Sequence, residues 1–190
     1  MKKYYLATFI IFFGLLCYGQ SNLVTIDRGT VEPSATGSVT GISSIGLTTS
    51  AEVDLTGNTD FETRRWDALT QAEAESLGEY IEWSLTADPD FAVTFDGLDI
   101  RVTRNTNGPQ SWQIFYSLDG FVTAGTALSA AQTTSTVDDS SADFSVSGLG
   151  VSIPDQGTIT FRLYAWNNAG NPNNGRLQIC LLYTSDAADD

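Results

Sequence analysis

The sequence predicts an all-β protein, an antiparallel β-sandwich built as a single domain. Short runs of alternating apolar and polar residues recur about every ten residues, the pattern of strands with one buried face. Clusters of Gly, Asn, Asp and Pro separate these runs. No long amphipathic segment offers the helical crossovers that a parallel sheet requires, and no repeat of fixed period is visible.

The chain opens with Met1-Lys2-Lys3 and an uncharged apolar run from Tyr4 to Leu16. A basic start, a short apolar core and small or polar residues after it (Gly19, Gln20, Ser21) form the pattern of a secretory signal peptide over residues 1–20. The run is shorter than the roughly 20 residues that span a bilayer, so no membrane insertion is expected once the signal is cleaved. Lipidation at Cys17 is the alternative, but the bulky Leu16 stands where a lipobox needs a small residue. Residues 21–179 are expected to form the sandwich.

Between Thr30 and Thr59 the composition is rich in Gly, Ser and Thr, and weak early strands joined by loops are expected. Asp67 to Leu77 is the one helix-friendly run, good for a turn or two. From Glu79 onward the alternation is plain. Ile81, Trp83 and Leu85 form one inward row, and Asp88-Pro89-Asp90 turns the chain. Phe91, Val93 and Phe95 then face inward until Asp96-Gly97, where the register shifts by one to Leu98, Ile100 and Val102, which predicts a bulge. Trp112, Ile114 and Tyr116 make the next row, followed by a hairpin-like Asp119-Gly120 turn.

Thr123 to Ser141 is poor in bulky residues and reads as a connection or a thin edge strand. Phe144, Val146 and Leu149 resume the pattern. In the next strand Ile159, Phe161, Leu163 and Ala165 face one way, and Thr160, Arg162, Tyr164 and Trp166 the other. After an Asn/Gly loop, Arg176-Leu177-Gln178-Ile179 opens a final strand whose alternation fails at Cys180, so that strand is expected to be truncated. Residues 180–190 are similar to a translated sequencing-adapter and are set aside as a non-native tail, with downstream domains expected beyond.

Composition removes much chemistry. The formal net charge is −14, and between residues 21 and 179 there is no Lys, His or Cys. That excludes an imidazole base, a thiolate nucleophile, a Schiff-base lysine and the usual zinc ligand sets there. Disulfide stapling is equally unavailable, so the hydrophobic core must hold the fold. Such acidity opposes binding to nucleic acid or to anionic membranes.

Several segments together carry a resemblance: Arg64-Arg65-Trp66, Glu79-Tyr80-Ile81-Glu82-Trp83-Ser84-Leu85, Arg104 through Gly108-Pro109, Trp112-Gln113-Ile114, Ser117-Leu118-Asp119-Gly120-Phe121 and Thr160-Phe161-Arg162-Leu163-Tyr164. In this order they resemble a jelly-roll, galactose-binding-like sandwich module of large secreted bacterial surface proteins. The resemblance spans about Phe61 to Ile179. It implies a binding or spacer module, secreted or at the cell surface, and carries over no catalytic residues. The family's closing strand has Asp where this chain has Cys180.

Four residue groups are candidates for function. Arg162, Tyr164 and Trp166 on one strand face form a possible sugar-stacking platform for a polysaccharide or cell-surface glycan, or else pack beneath a neighbouring loop. Arg65 and Trp66, with Arg64, form the densest basic spot, able to fork onto an acidic sugar or to pair internally. Asp88, Asp90 and Asp96 are candidate calcium ligands, or solvated turn residues. Glu79, Glu82 and several aspartates keep a glycoside hydrolase open as an alternative, since such enzymes need only two suitably spaced carboxylates. A structural adhesin spacer is the other alternative to a non-catalytic glycan-binding module.

Overall fold

The computed structural model describes residues 22–27, 40–56, 61–136 and 143–186. The expected signal segment lies outside them. Two sheets face each other, and among the described residues almost every strand pairing is antiparallel, as the alternation predicts.

The first sheet is built on β6 (Val93–Arg104) and β14 (Arg176–Asp186), which pair along most of their length. Beyond β14 lie β1 (Asn22–Asp27) and β4 (Phe61–Arg64), with β3 (Asp54–Leu55) outside β4. Beyond β6 lie three short strands, β10 (Ser135–Thr136), β11 (Asp143–Val146) and β12 (Val151–Ile153). The pairing of β10 with β6 is parallel, two residues long, and was not foreseen. The second sheet runs β2 (Ile42–Thr49), β5 (Tyr80–Ala87), β13 (Thr158–Asn168), β7 (Pro109–Ser117), with β8 (Thr126–Ala127) and β9 (Gln132–Thr133) on its edge.

The inner faces meet where the alternation placed them. Ile159, Phe161, Leu163 and Ala165 are fully buried, as are Trp83 and Trp112 within a few per cent. Phe161 stacks on Trp83 of its own sheet at 5.3 Å and meets Phe95 of the other at 4.9 Å, so one ring ties the two layers. Trp112 makes an edge contact with Phe144 across the same gap. Such aromatic pairs add about 0.5–1.5 kcal/mol each beyond the area they bury.

Two expectations need correcting. Phe91 is 41% exposed and belongs to the turn, because its N–H bonds back to the Asp88 carbonyl; the inward row starts later, and Phe95 is its first fully buried member. The final strand does not stop at Ile179. Its backbone continues to Asp186 with a register shift between Ile179 and Leu181, so the lost alternation at Cys180 is a bulge and not a strand end. The predicted irregularity at Asp96-Gly97 is present, as a shift between the pairs Ser185–Gly97 and Asp186–Phe95.

The helix α1 (Gln71–Leu77) falls inside its predicted range. Thr70 caps it by accepting the Glu73 N–H, and the Glu73 carboxylate accepts the Leu69 N–H, a reciprocal arrangement close to a capping box. Gly78 ends it in the left-handed region (φ 74), which glycine adopts without a Cβ penalty.

Candidate functional site

The outer face of the second sheet is ordered by its register. Arg162 stands opposite Glu82 on one side and Phe115 on the other; Tyr164 stands between Tyr80 and Gln113. An open sheet face with this many aromatic groups requires cover. One end receives α1, whose buried Ala74 packs with Ala68 and Tyr164, flanked by Tyr80, Phe115 and Trp166. Glu79 secures that cover. It is 2% exposed, and its two carboxylate oxygens accept the N–H groups of Asp67 and Ala68, each at 3.0 Å. Burial pushes its pKa up, and those two hydrogen bonds oppose the shift.

The loop between β7 and β8 covers the other end. It is longer than the tight Asp-Gly hairpin expected, and Asp119 organises it. Its carboxylate accepts from the Ser117 hydroxyl (2.5 Å), the Val122 N–H (3.2 Å), and the N–H and hydroxyl of Thr123 (3.1 and 2.7 Å). Hydrogen bonds from Ser117 and Thr123 hold its pKa below the usual carboxylate range. The loop leads Phe121 inward with φ 63, and Gly125 leaves room for that ring, since a Cβ there would lie 2.5 Å from Phe121 Cε1.

Phe121 closes over Arg162. The guanidinium lies 4.2 Å from the Phe121 ring centroid and 4.0 Å from that of Tyr80, while Nε donates to Glu82 Oε2 at 2.7 Å. Burial disfavours the charge on Arg162, but the hydrogen bonds with Glu82 and Tyr164 outweigh it and raise the pKa. Between this stack and the helix lies a cleft of about 470 Å³, lined by Gln71 and Glu75 from α1, by Phe115, Arg162 and Tyr164 from the sheet, and by Phe121 to Gly125 from the loop. Its size falls in the range of small-ligand pockets.

The structure sorts the predicted residues. Arg162 and Tyr164 share the cleft. Tyr164 is 6% exposed, with Tyr80 and Phe115 edge-on to it, so its ring face is no stacking platform. Trp166 packs on the helix-covered cluster, outside the cleft lining. The cover over Tyr164 is α1, where the sequence suggested a neighbouring loop.

Arg65 and Trp66 lie elsewhere. Trp66 is fully buried and donates from Nε1 to Thr63 Oγ1. Arg64 and Arg65 both pair with Asp54, at 3.5 and 3.3 Å, which is the internal pairing foreseen as one option. Asp88 accepts from the Ser43 hydroxyl, Asp96 from the Gly148 N–H, and the Asp90 N–H donates to Asp155. Among the described residues no three His, Cys, Asp or Glu side chains come together to hold a metal.

Phe115, Phe121, Gln71 and Glu75 are not among the residues that the sequence singles out as candidates for a site. The signal for Phe121 was present in Asp119-Gly120-Phe121, but nothing in that string says that the ring folds back onto a strand forty residues away.

No family model matches the chain, and no curated protein does. Solved structures similar to it include the CBM22-1 xylan-binding domain from Paenibacillus barcinonensis Xyn10C, with TM-score 0.44, 11% identity, and coverage of 90% of this chain and 97% of that one. The CBM22-1 and GH10 modules of Clostridium thermocellum xylanase 10B, complexed with xylohexaose, give TM-score 0.41 and 10% identity over 89% of this chain and 29% of that one. A family 35 carbohydrate-binding module from Clostridium thermocellum gives TM-score 0.35 and 9% identity, covering 84% of this chain and 96% of that one.

Proposed function

We propose that this chain is a non-catalytic β-sandwich module that binds a glycan in the cleft over the outer face of its second sheet. It acts as an exported module of a larger protein, secreted or displayed at the cell surface; the signal-like residues 1–20 support that placement. The observation that carries the binding reading is the cleft itself. Aromatic and aliphatic surface from Phe115, Phe121 and Val122 adjoins hydrogen-bonding groups on Gln71, Glu75, Thr123 and Tyr164. That mixture suits a sugar, which has C–H faces as well as hydroxyl rims.

Binding is favoured over hydrolysis by how the carboxylates are used. Glu79 is buried against backbone N–H groups and Glu82 is bound to Arg162. Among the described residues Glu75 is the one carboxylate in the cleft lining, whereas glycoside hydrolysis employs a pair.

Affinity electrophoresis through gels containing soluble polysaccharides, alongside a reducing-sugar assay, tests this. Retardation by at least one polymer, weakened in Phe121→Ala and without sugar release, is the expected result. No retardation by a folded protein would leave a spacer, and sugar release abolished by Glu82→Gln would establish a hydrolase.

A further inference from the structure

We infer that the cleft selects an uncharged saccharide, and that Arg162 is a positioning residue for its wall, not an anchor for an acidic sugar. This rests on the glycan-binding reading above and narrows its ligand class.

The inference comes from how Arg162 is occupied. Among the described residues it is the one cation in the cleft lining, and on an acidic chain it would be the natural receptor for a uronate or sulfate. Its position denies it that role. The guanidinium carbon lies over the Tyr80 and Phe121 rings, 4.0 and 4.2 Å from their centroids, and Nε is held by Glu82 at 2.7 Å. Its side chain is 20% exposed. The charge is therefore already paired with Glu82 before any ligand arrives.

The surroundings reinforce this. Glu75 also lines the cleft, Asp119 stands at the base of the covering loop, and the chain as a whole carries −14. An anionic polymer would be repelled on approach and would find no unspent cation on arrival. An uncharged sugar faces no such penalty. Gln71, Thr123 and Tyr164 offer it hydrogen bonds, and Phe115, Phe121 and Val122 offer apolar surface. What Arg162 does contribute is placement: with its guanidinium stacked beneath Phe121, it sets where the loop wall stands.

The test uses the full chain in affinity electrophoresis against two sets of polymers at low and high sodium chloride. Arabinoxylan, galactomannan and mixed-linkage β-glucan form the neutral set; polygalacturonate and alginate form the acidic set. Retardation by a neutral polymer, insensitive to salt, with none by the acidic polymers, is expected. Retardation by an acidic polymer that salt abolishes would overturn the inference while leaving glycan binding intact, whereas retardation by neither set would overturn both.

Val122→Arg locates the effect. Val122 is 85% exposed on the cleft wall, so the substitution adds a free cation without disturbing the core. It should create salt-sensitive retardation by polygalacturonate and weaken retardation by the neutral polymer. An unchanged pattern would place the ligand elsewhere and overturn the inference.

Discussion

The two faces of strand β13 show how one segment serves two ends. Its inward residues, Ile159, Phe161, Leu163 and Ala165, have no exposure at all, while Thr160, Arg162 and Trp166 on the outward side stay partly open. Inside, each side chain meets a neighbouring strand and an opposing sheet, so burial follows from alternation alone. Outside, only the neighbouring strands are guaranteed. A helix and a loop from separate parts of the chain complete that face, and the gap between them is the cleft. The inner face is thus set by local pattern and the outer face by what happens to arrive.

This contrast predicts a gradient of mutational cost. Phe161→Ala removes the ring shared by Trp83 and Phe95 and should cost about 3–5 kcal/mol, read as a lower midpoint in urea unfolding. Glu79→Ala, at the root of the outer cover, leaves two backbone N–H groups without their acceptor and should cost about 2–4 kcal/mol in the same measurement. Phe121→Ala loses one of the rings that flank Arg162 and should cost about 0.5–1 kcal/mol, yet weaken ligand retardation more than Phe161→Ala does if that variant still folds. A larger stability loss from Phe121→Ala than from Phe161→Ala would contradict the division between the faces.

Acidity separates the two ends of the cover. Glu79 has a raised pKa, so its contribution to stability is whole below the ordinary Glu value and fades as pH rises through the raised one. Asp119 has a lowered pKa, so its contribution is whole above the ordinary Asp value and fades as pH falls through the lowered one. Unfolding midpoints measured across the acid range should therefore lose one limb in Glu79→Gln and the opposite limb in Asp119→Asn. Because Asp119 is exposed, its limb is the smaller of the two, and the main effect of Asp119→Asn should be weaker ligand binding through a loosened loop.

Much of the fold was legible because a strand with one buried face must alternate. Trp83, Trp112, Phe161 and the Leu98-Ile100-Val102 row could be assigned to the core from spacing, and Gly97 marked a true irregularity in the ladder. Alternation is ambiguous where a residue at a strand end can belong either to the strand or to its turn. Phe91 obeys the alternation but is held by a hydrogen bond to Asp88. Cys180 breaks it, yet a bulge absorbs the break.

The site was legible only in half. Arg162 and Tyr164 could be placed on a common outward face, because residues two apart on a strand share a side. Whether that face lay open, and toward what, depended on contacts between residues far apart in the chain: Tyr80 and Phe121 against Arg162, α1 over Tyr164, Glu79 holding the approach to the helix. Period and composition are local quantities, and they set which side of each strand meets the core. Cover over an exposed sheet is a matter of long-range docking, carried here by a few charges and rings with no periodic trace, so the cleft emerges only when the chain has folded.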